Sequence, residues 1–323
     1  MRVPLPAAMI TTSTGAAPKA ELEVAMTIST PSKPLNWFKI IGAAWLLALL
    51  GACSAIKVAY NNGHELAWWW LTDYIDVQGE DRAALRQTVH RMHEWHRREQ
   101  LASYVEMLRR WQPLVAGELD PAQVCRMADD VMQRVSALSG AVQVLDPTAL
   151  QILSRLSAQQ IAEMERQFAK GNRKFREKYV DVSPKELLEN RLDSGLSRAQ
   201  WLYGSQGRQQ ESALRAALAA SAWDAREAYA WRLRRQQDIV QTLRELARTQ
   251  ASSETTRLAL RALMARNLDM QDSPDRPRYE SLREQVCQTM ARLHASTTPA
   301  QRVRAQETLR NYAADLSTLL PVQ

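Results

Sequence analysis

The sequence is poor in the residues that break helices. Only 11 Gly and 13 Pro occur among 323 residues, which argues against a Gly- and Pro-rich β-sandwich, a collagen-like repeat or a long disordered tail. No segment alternates apolar and polar residues for long enough to predict a β-strand. Ala, Leu, Arg, Gln and Glu dominate instead, and these residues favour helices. The composition therefore predicts an all-α protein.

The sequence also lacks motifs that would identify a chemistry. It contains no helical HExxH motif, no CxxC pair, no phosphate-binding loop and no nucleophile or paired-carboxylate signature. We therefore expect no metal ion and no cofactor. A binding or structural role is favoured over an enzymatic one.

The longest apolar run is too short for a membrane span. It covers residues 40–50, IIGAAWLLALL, and follows Lys33 and Lys39. A transmembrane helix needs about 20 such residues, whereas a secretory signal peptide needs only this length after a positive charge. The run therefore predicts an N-terminal export signal, and Met26 would start a signal of ordinary length.

The residues after this run resemble the bacterial lipobox. Small residues precede a cysteine in Leu50-Gly51-Ala52-Cys53, and in the lipobox that cysteine is lipidated after cleavage. The resemblance implies removal of residues 1–52 and a lipid on Cys53. The alternative is a hydrophobic helix that contains a cysteine by chance. Ser54 follows the cysteine, which favours sorting to the outer membrane with the chain facing the periplasm.

The expected organisation has three parts. Residues 1–52 form the signal peptide, residues 53–79 form the lipid anchor with a Trp-rich juxtamembrane segment, and residues 80–323 form one helical domain. The leader carries four basic and two acidic residues, which leaves 38 basic and 33 acidic residues in the mature chain. Export argues against nucleic acid as a partner. A basic envelope surface would meet anionic lipid, peptidoglycan or another envelope protein, unless it is simply solvated.

Two cysteines besides Cys53 remain after processing, Cys125 and Cys287. The periplasm is oxidising, so an even pair favours a disulfide over two buried free thiols. Each cysteine lies one residue away from an apolar helical stripe, near a boundary where two helices could meet. The loop between them has about 160 residues, and its closure would stabilise the fold by about 4–5 kcal/mol in the chain-entropy model.

Helix-start signals recur through the chain. A Ser, Thr or Asp is followed three residues later by Gln or Glu at 120–123, 157–160, 183–186, 197–200 and 298–301, the spacing of a capping box. Asp146 precedes Pro147, a favourable first helical residue. Apolar spacing between these signals predicts a multi-helix bundle of about 8–10 helices without a sheet. The predicted ranges are 80–112, 121–145, 147–155, 158–179, 184–204, 208–220, 223–249, 253–268, 279–295 and 299–319.

Aromatic and histidine residues concentrate before residue 100. Residues 68–70 are three consecutive tryptophans, which point in three directions on a helix. They could lie at a membrane interface or be buried among helices. His90, His93 and His96 are spaced by three, so one ion could be reached by His93 and His96, or by His90 with Glu94, but hardly by all three. A structural or solvated role is favoured for this triplet.

A polar cluster is predicted around His96. The apolar stripe Leu85–Val89–Met92 continues into His96 and Glu99, so we expect both side chains to be buried and hydrogen-bonded. The predicted neighbours are Asp73 and Tyr74, with Arg97 or Arg98 beside them. A structural network is favoured. The alternative is a hydrolase or metal enzyme that uses Asp73, His96 and Glu99.

A basic, aromatic segment follows at residues 168–179. Phe168, Phe175 and Tyr179 share one helix face with Asn172, and charged residues occupy the other faces. A bundle helix with a solvated basic face accounts for this pattern. Binding of an anionic polymer is the alternative.

Collinear segments of the chain resemble an uncharacterised lipoprotein family of Gram-negative bacteria, domain of unknown function 6279. They are Cys53 with its lipobox, AYNN at 59–62, Asp73-Tyr74, WHRRE at 95–99, PAQVC at 121–125, Trp223, WRLRRQQD at 231–238 and LHASTTPAQR at 293–302. The resemblance implies an all-helical envelope protein and brings no activity with it. Three segments, 119–123, 156–160 and 196–200, also resemble the Leu-Thr-x-x-Gln motif of periplasmic chaperones of the spheroplast-protein-Y type. That likeness implies a chaperone role, although ordinary helix capping yields the same pattern.

Overall fold

The computed structural model describes residues 55–268 and 275–321. Within these ranges the chain forms thirteen α-helices and one 3₁₀ helix, and no β-strand. The all-α prediction is confirmed. The predicted signal peptide 1–52, with Met26, and the predicted lipidation site Cys53 lie outside the described residues. In the described ranges, no helix combines the length and the apolar character that crossing a bilayer requires.

The chain divides into two compact units, residues 1–60 and 61–323. The helices are α1 (Ala55–Asn61), α2 (Gly63–Tyr74), α3 (Gly79–Glu99), α4 (Leu101–Ala116), α5 (Pro121–Ala137), the 3₁₀ helix (Leu138–Val144), α6 (Pro147–Leu153), α7 (Ala158–Tyr179), α8 (Pro184–Tyr203), α9 (Arg208–Ala219), α10 (Ala225–Thr249), α11 (Ser253–Leu268), α12 (Arg276–Ala295) and α13 (Pro299–Ser317).

Side-chain caps fix many of the helix starts. Asp120, Ser157 and Thr298 each accept a hydrogen bond from the backbone N–H three residues later, and the Gln at that position answers the cap's own N–H. These reciprocal bonds satisfy donors that a helix leaves free. The same spacing at 197–200 starts no helix, because it lies inside α8. The capping pattern is therefore neither sufficient nor necessary here, since α2, α3 and α4 begin without a side-chain cap.

Two predicted helices are interrupted. The range 80–112 is two helices, α3 and α4, separated at Gln100, and no Gly or Pro marks the break. The range 121–145 changes to 3₁₀ geometry after Ala137. A Cβ on Gly140 would lie 3.0 Å from Cζ2 of Trp95, so the tightened segment brings its backbone against that indole ring.

Two hydrophobic clusters hold the second unit together. The N-terminal core contains Trp68, Ile75, Val77, Leu85, Ala149, Ile152, Leu156, Ile161, Met164, Val240, Leu243 and Leu246. The C-terminal core contains Val105, Leu108, Val115, Leu119, Tyr203, Ala305, Leu309 and Ala313. Helices α2, α3, α6, α7 and α10 build the first core, whereas α4 and α13 form most of the second.

A disulfide joins α5 to α12. The Sγ atoms of Cys125 and Cys287 lie 2.02 Å apart and the Cα atoms 5.3 Å apart, a normal separation for a bridged pair. Arg283, one turn before Cys287, donates to the backbone carbonyl of Cys125 at 3.0 Å and pairs with Asp129. The two helices are thus held by a covalent bond and by an ionic contact beside it.

His294 lies at the centre of a buried polar network. It is 1% exposed. Its Nε2 lies 2.8 Å from the carbonyl oxygen of Gly117 and its Nδ1 lies 2.9 Å from the hydroxyl of Tyr203. A carbonyl only accepts, so Nε2–H donates to Gly117 and Nδ1 accepts from Tyr203. Burial lowers the pKa of His294 and raises the pKa of Tyr203 to about 12.

Candidate functional site

Helices α2 and α3 form a helical hairpin through the short connection 75–78. Ile75 and Val77 in this connection are buried, as are Trp68 of α2 and Leu85 of α3. These apolar anchors fix the hairpin on the N-terminal core. The side chains on the other faces of α2 are therefore held in defined directions.

Glu65 is the centre of a charged cluster on the inner side of the hairpin. Both of its carboxylate oxygens accept hydrogen bonds from Nη2 of Arg86, at 2.8 and 2.9 Å. The hydrogen bond from Arg86 is the main cause that holds the pKa of Glu65 below its ordinary value. The carboxylate is therefore ionised at neutral pH.

Two imidazoles adjoin the same carboxylate. Nε2 of His64 lies 3.5 Å from Oε1 of Glu65, and Nε2 of His90 lies 3.8 Å from that oxygen. The ring centroids of His64 and His90 are 4.1 Å apart. The candidate ligand atoms of the three residues all lie within 4.8 Å of one another, and all three residues are half-buried. In the described part of the chain, no other group of three His, Cys, Asp or Glu residues meets this spacing. We call these three residues the His–Glu cluster.

His93 borders the His–Glu cluster. Its ring centroid lies 5.4 Å from that of His64. A Cβ on Gly63 would lie 3.2 Å from Nε2 of His93, so the glycine that opens α2 permits the close approach of α3. The absence of a side chain at Gly63 thus leaves room for His93 beside the His–Glu cluster.

A neighbouring face of α2 is apolar and exposed. Leu66, Trp69 and Trp70 are 51%, 69% and 59% exposed. Their spacing of three and four residues places them on one face of the helix. We call them the exposed apolar stripe. Trp68 is only 6% exposed, so the three tryptophans divide between the interior and the surface.

The predicted cluster around His96 is not assembled as expected. His96 is half-buried, and its Nε2 lies 3.1 Å from the hydroxyl of Tyr104 on α4. Glu99 and Asp73 are exposed. The expectation that Glu99 is buried is wrong, because α3 ends at this residue and the helix is interrupted at Gln100. Burial lowers the pKa of His96 to about 4, and the nearby His93 adds to this effect.

The other two residues of that cluster have separate surroundings. Tyr74 contacts Trp70 and Phe168, with ring centroids 4.7 and 5.5 Å away. Arg97 donates to Oδ1 of Asn61 at 3.0 Å. The hydrolase or metal-enzyme alternative built on Asp73, His96 and Glu99 therefore gains no support from the positions of these residues.

The basic segment of α7 is a bundle helix with a solvated charged face. Its Asn172 is buried, accepts from Nε of Arg232 at 2.6 Å and donates to Gln236 at 2.7 Å. Phe175 stacks on Tyr229 with centroids 6.0 Å apart. The aromatic face thus packs on α10 within the protein.

Sequence reasoning missed His64 and Glu65. They are adjacent in the chain, and Arg86 and His90, which both adjoin Glu65, follow more than twenty residues later. The His-Glu pair before the tryptophans was the available signal. Its meaning depends on α3 folding back beside α2, which no local pattern encodes.

Comparison with known proteins gives one family. A model described as a family of unknown function (DUF6279) matches residues 73–273. The match begins at the end of α2, so His90 lies within it and His64 and Glu65 precede it. No curated protein and no solved structure matches the chain.

Proposed function

The chain belongs to the family of unknown function DUF6279, and we propose that it is a lipid-anchored envelope protein with a binding or structural, non-enzymatic role. Cys53 would carry the lipid in the outer membrane, and the helical domain would face the periplasm. The export signal and the lipobox sequence at 50–53 support this location.

The exposed apolar stripe is the observation that carries the proposal. A protein that is surrounded by water rarely keeps Leu66, Trp69 and Trp70 on one exposed face. Tryptophan is favoured at the interface between lipid and water, where its ring is apolar and its N–H is hydrated. We infer that the stripe rests on the bilayer surface.

The distance along the chain favours a membrane over a protein partner for the stripe. Leu66 follows Cys53 by thirteen positions. Even a fully extended segment of this length reaches no farther than about 45 Å. A lipid on Cys53 would therefore keep the bilayer within reach of α2, at a high effective concentration.

The anchor is tested first. The full-length chain is produced in a Gram-negative host with labelled palmitate, and membranes are separated from the soluble periplasm. Label and membrane retention are expected for the wild type and for Cys125→Ser, and neither is expected for Cys53→Ser. Label on the Cys53→Ser variant, or a wild type without label, would contradict the lipoprotein assignment.

Contact of the stripe with lipid is tested by fluorescence quenching. The protein isolated from membranes is reconstituted in vesicles of phosphatidylethanolamine and phosphatidylglycerol with brominated acyl chains. Quenching is expected in the wild type and should fall in the Trp69→Phe/Trp70→Phe variant. Trp201→Phe is the matched control, because Trp201 is 50% exposed but lies on α8. Equal quenching in all three proteins would contradict contact between the stripe and the bilayer.

A further inference from the structure

We propose that the His–Glu cluster binds a divalent transition-metal ion, with Zn²⁺ as the preferred probe. Two imidazoles and one carboxylate are a ligand set that zinc accepts in proteins, with a fourth position left for water or another ligand. The three side chains come from both arms of the helical hairpin, His64 and Glu65 from α2 and His90 from α3. This inference does not depend on lipid anchoring.

The geometry is close to what an ion requires. Ligands about 2.0–2.1 Å from a tetrahedral ion lie about 3.3 Å from one another. Oε1 of Glu65 is 3.5 Å from Nε2 of His64 and 3.8 Å from Nε2 of His90. The widest separation among the ligand atoms is within 4.8 Å. Small rotations of half-exposed side chains therefore suffice to close the site.

Arg86 is the group that opposes binding. Its guanidinium occupies both oxygens of Glu65, and its positive charge would repel the ion. The Arg86 side chain is 52% exposed, so it can turn into solvent when an ion takes its place. The ionic contact thus holds Glu65 beside the imidazoles until a metal replaces it.

A bound ion would fasten the two arms of the hairpin. Near the cluster, α2 and α3 are joined by hydrogen-bonding and electrostatic contacts that water can replace. A coordinate bond to each arm would fix the orientation of α2. Metal occupancy would then determine how rigidly α2 is held.

The test is calorimetric titration of the full-length protein, purified in detergent without a polyhistidine tag and stripped with EDTA. One Zn²⁺ per chain is expected, and Mg²⁺ should give no binding because it prefers oxygen ligands. Glu65→Gln and His90→Ala should each weaken Zn²⁺ binding by at least about tenfold. Arg86→Gln should tighten it by roughly threefold or more, because a competing positive charge is removed.

Matched controls lie on the same helix. Glu94→Gln and His96→Ala should bind Zn²⁺ like the wild type. Loss of binding in His96→Ala with retention in His90→Ala would overturn the proposal, as would binding that is indifferent to both Glu65→Gln and Arg86→Gln. Thermal unfolding gives a second measurement: at one Zn²⁺ concentration the Tm of the wild type should rise more than that of Glu65→Gln. An equal rise in both proteins would also overturn it.

Discussion

Histidines occupy two different environments in this molecule. His294 has both ring nitrogens satisfied by its own chain, through Gly117 and Tyr203, and is fully enclosed. His64 and His90 are half-buried beside a carboxylate that is held by the exposed Arg86. The difference separates a histidine that stabilises a fold from histidines that can exchange partners. His294 therefore stabilises the fold, whereas His64 and His90 are placed where they could bind a ligand.

Removal of the disulfide should have the largest effect on stability. Cys125 and Cys287 are separated by 162 positions, so Cys125→Ser/Cys287→Ser should lower the free energy of unfolding by about 4–5 kcal/mol. Urea denaturation measures the loss. Thiol titration of the denatured, non-reduced wild type should find no reactive Cys125 or Cys287, and a lipidated Cys53 should not react either. Two free thiols would contradict the bridge.

Removing the enclosed histidine should come next. His294→Ala leaves the hydroxyl of Tyr203 without its acceptor, leaves the carbonyl of Gly117 without one of its donors, and opens a cavity, so we expect a loss of about 3–4 kcal/mol. Equilibrium unfolding in urea at neutral pH measures it. A loss below about 1 kcal/mol would erase the distinction between the two environments.

His96 allows the comparison to be sharpened by pH. Its pKa is about 4 in the folded chain and about 6.5 in the unfolded chain. Above pH 6.5 neither state binds the proton. As the pH falls from 6.5 towards 4, only the unfolded state is protonated, so stability is lost. The wild type should therefore lose about 2 kcal/mol more than His96→Gln between pH 7 and pH 4.5. Urea midpoints of both proteins at the two pH values test this, and parallel losses would refute it.

The hairpin histidine should show the smallest effect. His64→Ala removes a half-buried side chain that adjoins Glu65 and the rings of His90 and His93, so a change of about 0.5 kcal/mol or less is expected without metal. The same urea experiment measures it. A loss equal to that of His294→Ala would show that the His–Glu cluster is part of the structural core.

Local signals predicted most of the helices. The range predicted from Ser157 and Gln160 agrees with α7, because a capping box is written within four residues. The break at Gln100 left no such trace, since this residue keeps right-handed helical angles, with φ −109° and ψ −36°. The stripe from Leu85 through His96 therefore predicts a buried Glu99, whereas this last residue of α3 is exposed.

The candidate site was much less predictable. Its geometry depends on which residues of α3 face α2, and that register is set by buried contacts such as those of Trp68 and Leu85. A carboxylate and an imidazole more than twenty residues apart become neighbours only through that packing. Helical geometry predicts that the three consecutive tryptophans point in different directions. It does not predict that Trp68 is the one that is buried.

The order of the two cores along the chain has a consequence for biogenesis. The buried members of the N-terminal core end at Leu246, whereas the C-terminal core needs Ala305, Leu309 and Ala313. During vectorial synthesis the first cluster can thus collapse while the second still lacks a helix. Oxidation of Cys125 must also wait for residue 287. Helices α4 and α5 are consequently synthesised before the helices that cover their apolar faces. The nascent protein is most vulnerable to aggregation and proteolysis during that interval.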